Sequence, residues 1–248
     1  MTDVLPAAAP SVSAAKPQAG RTDAGVAFRD VAVERDGRVA LDALSLSLGE
    51  RRIGLVGGNG SGKTTLLKLV NGLIMPTRGT VEVGGLSTAA DIRAVRRRVG
   101  YVFQNPDHQI VFPIVIEDMV FGLKNIGVAK AERERRARAA LDGLGIGHLA
   151  ERAIHALSGG EKQLVALAAV LVMEPALVLF DEPTTLLDLK NRNLIARTIA
   201  GLPQRAIVAS HDLDLLAGFD RVIVLEAGRV VFDGPPGPAL RLYRERMA

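Results

Sequence analysis

Gly57, Gly58, Asn59, Gly60, Ser61, Gly62, Lys63 and Thr64 follow the order G-x-x-x-x-G-K-[ST], the spacing of a loop that wraps phosphate. Glycines let successive backbone N–H groups turn inward around phosphate oxygens. A helix beginning near Gly62 would aim the positive end of its dipole at the same oxygens. Lys63 would then reach the β- and γ-phosphates of a nucleotide, and the Thr64 hydroxyl would bind magnesium. A second set of residues lies in LVLFDEP, Leu177 to Pro183, an apolar strand that delivers Asp181 and Glu182 to its carboxyl end, where open α/β sheets place their ligands. Asp181 is placed to hold magnesium, directly or through water, and Glu182 to orient and polarise an attacking water. An acidic pair after a strand is, alone, more often a helix cap; beside a phosphate loop the balance reverses. In LSGGEKQ, Leu157 to Gln163, a Ser and two glycines precede an apolar helix whose N-terminus offers a second array of N–H groups to an anion. An ordinary N-cap by Ser158 explains these residues equally well. One nucleotide needs only one phosphate cradle, however, so a spare cradle points to two chains sharing each nucleotide.

These residues need elements to position them. Val26 to Leu48 alternates and turns at Asp36-Gly37, as a β-hairpin does. Arg51 to Val56 reads as a short buried strand, and KTTLLKLVNGL after the glycines as a helix that stops near Gly72. Further strands are expected at Gly79 to Val83, Val99 to Phe103, Ala176 to Phe180, Ala206 to Ser210 and Arg221 to Leu225, with a short helix near Asp212 to Ala217. The stretch QNPDHQIVFPIVIEDMVFGL after Phe103 carries two prolines and mixed polarity, which argues against one continuous helix. Ala129 to Leu144 is charged on one side and Ala/Leu-rich on the other, a surface helix whose charge run is a solvated face. The helix after Gly160 is so apolar that it must be mostly buried, with Pro175 at its end. Strands alternating with helices imply a parallel α/β core.

Composition limits the alternatives. In 248 residues, 48% are hydrophobic, enough for a sizeable core, so a disordered or fibrous chain is excluded. Cysteine is absent, which removes disulfides, thiolate metal sites and cysteine nucleophiles and makes the cytosol the default compartment. Lys plus Arg exceed Asp plus Glu by 31 to 27, which suits a polyanionic partner such as nucleotide, nucleic acid or an anionic membrane surface without choosing among them. Residues 1–25, rich in Ala, Pro and Ser, lack the apolar core of a secretory signal and read as a disordered tail. The longest apolar run, Leu164 to Met173, is ten residues, and a membrane-spanning helix needs about 20.

In this order the segments resemble the motifs of the ATP-binding-cassette ATPases. GGNGSGKTT, through Thr65, resembles their Walker A loop, Gln104 their Q-loop glutamine, LSGGEKQ their signature and LVLFDEP their Walker B strand. Asp188 in TTLLDL is similar to the D-loop aspartate, and His211 in ASHDL to the switch histidine. The motifs together span Phe28 to Gly234. The resemblance implies a P-loop α/β fold with a mostly parallel core sheet, a small antiparallel β subdomain and an α-helical signature subdomain at approximately 104–173, all within one ATPase domain over 26–248. It implies head-to-tail pairs of cassettes, with each ATP held between the Walker residues of one and Ser158, Gly159, Gly160 and Glu161 of the other. Glu182 would be the general base, His211 would contact the γ-phosphate, and magnesium would be held by Thr64, Gln104 and Asp181. Two departures stand out. The stretch ahead of Walker A has Val33, Glu34 and Arg35 where the family stacks an aromatic residue on adenine, leaving the Arg35 guanidinium as the candidate. Leu186 adds bulk before the D-loop aspartate, at a place expected to face the partner cassette.

The segment after Gln104, with N-P-D-x-Q and then V-x-E-D-M-x-F-G, resembles the energy-coupling-factor importers and their biotin, cobalt and nickel relatives. That resemblance implies a homodimer at the cytoplasmic face of the membrane. An integral coupling subunit would be received along Gln104 to Phe121, and a separate membrane subunit would bind the substrate, with biotin the first expectation and cobalt or nickel the second. A chain that ends soon after the last expected strand fits the single ATPase of such systems. The competing class is a cassette ATPase acting on nucleic acid. Such proteins usually separate Walker A from the signature by a long coiled coil, and no sustained heptads lie between Lys63 and Ser158, so no nucleic-acid partner is expected.

Overall fold

Short apolar runs form the centre of the molecule because each is buried on both faces. In the computed structural model, which describes residues 25–247 except Asp36 and Leu186, β3 (Arg52–Val56) and β7 (Leu177–Asp181) are buried at every residue. They join β6 (Val99–Val102), β8 (Arg205–Ala209), β9 (Arg221–Glu226) and β10 (Arg229–Gly234) in a sheet of order β10-β9-β3-β8-β7-β6. All neighbours pair parallel except β10, an antiparallel edge strand on β9. Register carries the functional consequence. Leu55 and Asp181 both pair with Ala209, so β3, β7 and β8 end at one level and their following residues share one sheet edge.

A second, antiparallel sheet orders β1 (Val26–Arg35), β2 (Arg38–Leu48), β4 (Arg78–Val83) and β5 (Leu86–Ser87) as β2-β1-β4-β5. Strand alternation divides the interior. Ile53, Leu55, Leu179, Ile207 and Ile223 join a core with the antiparallel sheet and with Leu66, Leu67, Leu69 and Val70 of α1 (Lys63–Val70). Val178, Phe180, Val208 and Val222 point the other way, into a core built with the remaining helices. There α3 (Val115–Asn125), α4 (Lys130–Gly143) and α5 (Gly159–Leu171) pack on one another, and α5 buries Gln163 to Ala168 without interruption. The fold is therefore the α/β arrangement implied by the motifs.

Several elements depart from the sequence expectations. The segment after Gln104 is irregular only in its first half; Val115 begins a regular helix just past Pro113, a position where proline's missing N–H costs nothing. Asp118 on that helix accepts hydrogen bonds from the N–H groups of Val111 and Phe112, at 2.8 and 3.1 Å, and so ties the preceding loop down. The helices α2 (Ile92–Arg98) and α6 (Leu189–Gly201) bury only Val95, and Ile195 with Ile199, respectively, stripes too thin to stand out. After β9, the last strand expected, come two elements not expected, β10 and α8 (Pro236–Met247), and α8 packs on both final strands. The hairpin turn is in place at Gly37. The tail expected over residues 1–25 lies, apart from Gly25, outside the described residues, as do Asp36 and Leu186. Among the described residues no helix is long and apolar enough to cross a membrane.

Candidate active site

The loop between β3 and α1 ends in Gly62 at φ 107°, a left-handed conformation in which the ideal Cβ of any other residue would sit 2.7 Å from the Leu41 side chain. Only glycine fits there. Gly62 caps α1 without a side-chain acceptor, leaving the helix N-terminus open to an external anion. Lys63 is buried, and its ammonium donates to the carbonyls of Gly57 at 2.7 Å and Gly58 at 3.2 Å. Burial lowers its pKa, and the charges of Glu182 and Asp181 oppose that shift.

Asp181, at the end of β7, is buried with each carboxylate oxygen occupied. The Thr64 hydroxyl donates to Oδ1 and the Tyr101 hydroxyl to Oδ2, both at 2.9 Å. Burial, then the adjacent Asp181 charge, push the Tyr101 phenol far up, which keeps it a donor. Glu182 follows at φ 50°, a left-handed conformation rare for a residue with a Cβ and a marker of functional sites. Its backbone N–H donates to the Ala209 carbonyl at 2.9 Å, and its Oε2 accepts from the backbone N–H of His211 at 3.2 Å. The other oxygen, Oε1, is buried without a hydrogen-bond donor. It lies 3.4 Å from His211 Nε2 and 4.0 Å from the Lys63 ammonium. A carboxylate with one oxygen anchored and one oxygen free can accept a proton from water.

One cavity of about 500 Å³ gathers these groups; Asn59 to Thr65, Gln104, Glu182 and His211 line it. The β1–β2 hairpin contributes Ala40 to that lining. The exposed imidazole of His211 places Nε2 3.4 Å from the Lys63 ammonium and Nδ1 3.1 Å from the Tyr243 hydroxyl. Thr64, Asp181 and Gln104 offer hydroxyl, carboxylate and amide oxygens, a donor set that suits a hard dication. No group of three or more His, Cys, Asp or Glu able to hold a metal occurs among the described residues. Magnesium is usually bound by one or two carboxylates together with substrate phosphates, and this site fits that pattern.

The signature residues are not brought into this cavity. Ser158 caps α5 in a closed capping box: its Oγ accepts from Glu161 N–H at 3.3 Å, while Glu161 Oε2 accepts from Ser158 N–H at 2.8 Å. The Ser158 backbone N–H and hydroxyl, both donating to Oε2, hold the Glu161 carboxyl below its ordinary pKa. Ser158 and Gly159 are exposed. A Cβ on Gly160 would fall 2.3 Å from Asn191 Nδ2, and Asn191 N–H donates to Asp188, the N-cap of α6, at 2.8 Å. The signature and the D-loop aspartate are thus linked through Asn191, and neither lines the cavity.

Sequence reasoning missed Tyr101, Tyr243 and Arg192, and read Gln109 only as part of the N-P-D-x-Q pattern. Gln109 accepts from Phe103 N–H and donates to the Ala166 carbonyl, fastening the loop after β6 to α5. Arg192 grips Asp212 with two hydrogen bonds of 2.6 Å and so ties α6 to the turn that carries His211. Only Tyr101 left a local signal: a phenol in the buried strand VGYV needs a polar partner.

A family described as ABC transporter matches the chain over residues 41–185. The biotin transport ATP-binding protein BioM of Rhizobium etli is 50% identical over 220 residues, covering 89% of this chain and 98% of its own length. The cobalt import ATP-binding protein CbiO of Syntrophus aciditrophicus is 44% identical over 205 residues, 80% of this chain and 73% of its own. Among solved structures, cbiO1 from Clostridium perfringens, part of the ABC transporter complex cbiONQ, has a TM-score of 0.77 at 32% identity and covers 91% of this chain and 94% of that one.

Proposed function

This chain belongs to the ABC transporter family and is an ATPase, and from that premise we propose that it energises an energy-coupling-factor-type importer as a pair of identical copies. Biotin is the first cargo and cobalt or nickel the second, on the names of the relatives. The observation that carries the reading is the convergence of Lys63, Gln104, Glu182 and His211 on one cavity at the carboxyl edge of the sheet, with the signature residues exposed elsewhere.

In this reading the open N-terminus of α1 and the Lys63 ammonium hold the β- and γ-phosphates. Thr64, Gln104 and Asp181 would hold magnesium, which would neutralise charge on those phosphate oxygens when bound. Glu182 Oε1 orients water for attack and takes its proton, and His211 Nε2 donates to the γ-phosphoryl oxygens. Ser158, Gly159, Gly160 and Glu161 of the second copy close over the same nucleotide, with the Asp188 loop beside them. The membrane coupling subunit docks along Gln104 to Phe121, where Val111 is 73% exposed and the rings of Phe112 and Phe121 meet at 5.0 Å. A separate membrane subunit binds the cargo, so the chain works as a peripheral component at the cytoplasmic face.

The test is Glu182→Gln in the assembled complex. ATP binding is retained, turnover falls by about 10²- to 10⁴-fold, the span of a lost general base, and a nucleotide-dependent dimer accumulates on size exclusion. Undiminished hydrolysis by this variant rejects Glu182 as the base. Membrane fractionation with and without the candidate subunits tests the importer. Failure to co-purify with them, together with salt-sensitive retention on DNA, would overturn it.

A further inference from the structure

The helix α8 lies outside every sequence motif, yet it brings the Tyr243 hydroxyl within 3.1 Å of Nδ1 of His211. We propose that Tyr243 is a positioning residue: its hydroxyl donates to Nδ1 and thereby keeps the imidazole proton on Nε2, the nitrogen that faces the cavity. The inference rests on the reading of His211 given above.

Neutral imidazole carries one donor and one acceptor, and the partner at one nitrogen decides the state of the other. On the Nε2 side stand the Lys63 ammonium and Glu182 Oε1, each at 3.4 Å. Oε1 is buried without a donor and is an acceptor near Nε2, whereas the ammonium, which can only donate, also has the Gly57 and Gly58 carbonyls as acceptors. An anionic γ-phosphoryl group makes the same demand, because its oxygens are acceptors only. The opposite arrangement, with Nδ1–H donating to the phenol, would turn a bare Nε2 lone pair toward phosphate oxygens and repel them.

The phenol is held in place for this. Ala239 and Leu240 of α8 are buried, Arg246 pairs with Glu226 at the end of β9, and Tyr243 itself packs against the core. Met247 reaches the phosphate loop, its sulfur 4.0 Å from the place a Cβ on Gly58 would occupy. Burial, reinforced by the charge of Glu182, raises the phenol pKa, so its hydrogen stays available.

Imidazole nitrogen-15 NMR on the full chain reads the tautomer directly. The chain has four histidines, and His211→Gln assigns the signals by removing one set. At pH 8, about 1.5 units above the ordinary histidine pKa, wild type is expected to show Nε2–H with a bare Nδ1, and Tyr243→Phe a mixture of tautomers. Tyr243→Phe keeps the ring, so the melting temperature should hold, while kcat for ATP falls roughly tenfold and KM changes by less than about twofold. A protonated Nδ1 in wild type, which needs no variant to measure, overturns the proposal; so does an unchanged tautomer or unchanged kcat in Tyr243→Phe. His211→Ala separates the two readings. Loss of turnover in His211→Ala with full turnover in Tyr243→Phe sinks the tyrosine role alone. Full turnover in His211→Ala removes the role of His211 in the proposed function.

Discussion

Glycine stands at the N-terminus of both α1 and α5, as the cap of the first and the first residue of the second, and the two ends are finished in different ways. Gly62 caps α1 in a left-handed conformation with no side-chain acceptor, and Lys63, Asp181 and Glu182 are buried around it. At α5, Ser158 and Glu161 satisfy each other in a capping box, and Gly160 lies beside Asn191, neither of them lining that cavity. An open helix end surrounded by a buried cation and carboxylates is organised to receive an anion from solvent. A closed capping box keeps its helix formed with nothing bound. The contrast teaches that the α1 end is organised within a single chain to receive an anion, whereas the α5 end is a surface already satisfied by its own side chains, as the proposed pairing of two copies requires.

The largest expected effect falls on the first side. Lys63→Ala removes a buried cation hydrogen-bonded to Gly57 and Gly58, and ATP affinity should drop by roughly 30-fold or more, since charged hydrogen-bonded contacts contribute about 2–5 kcal/mol to binding. Calorimetry on the isolated chain measures it without any partner. Undiminished affinity would mean that the α1 end is not the phosphate cradle, and the comparison would collapse.

Gly160→Val should act on the second side alone. Its Cβ would displace Asn191, and the added methyl groups would screen the N–H groups of α5 from an approaching anion. Turnover in the paired complex should fall about 10- to 100-fold, on the scale of one lost transition-state donor, while ATP affinity of the isolated chain stays put. A matching fall in single-chain affinity would show that the signature belongs to its own chain's site. Between these two in kind stands Tyr101→Phe, which leaves Asp181 Oδ2 without its donor. The magnesium concentration for half-maximal turnover should shift by about threefold to tenfold, the scale of one hydrogen bond to a charged group.

How far these regions were legible depends on whether their signals are local. The phosphate loop, the acidic pair and the signature are contiguous, and the buried strands around them are short apolar runs, so each declares itself within ten residues or fewer. Helix α3 was obscured because Pro113 and the loop before it share its polarity. Helix α6, with Ile195 and Ile199 as its buried residues, has too thin a stripe to stand out. In α8 the spacing of Ala239, Leu240 and Tyr243 marks a helix face, but no periodicity says that the face docks against His211. Tyr101 and Asp181 are far apart in sequence and meet through the register of β6 on β7, while Arg192 and Asp212 meet where α6 packs beside the turn after β8. The resemblance to cassette ATPases supplied roles for Gln104 and His211 that their local sequence lacks. It could not supply Tyr243, which lies outside the motifs.

The smallest effect sharpens the comparison most. If the capping box exists to hold α5 formed in the absence of nucleotide, Ser158→Ala should cost about 1 kcal/mol of stability, the usual worth of an N-cap, and lower the melting temperature by roughly 2–4 °C for a chain of this size. Glu161 should lose part of its acid-shifted titration at the same time, because the hydroxyl's contribution disappears while the backbone N–H of residue 158, the larger cause, remains. The sign follows from that shift: a depressed carboxyl stabilises above its unfolded pKa, and the contribution disappears as pH falls through the folded value. Wild type and Ser158→Ala should therefore differ more in melting temperature at pH 7 than in strong acid. An equal difference at both would mean that the serine contributes to stability without the reciprocal Glu161 bond, and the α5 end would no longer count as a surface closed in advance.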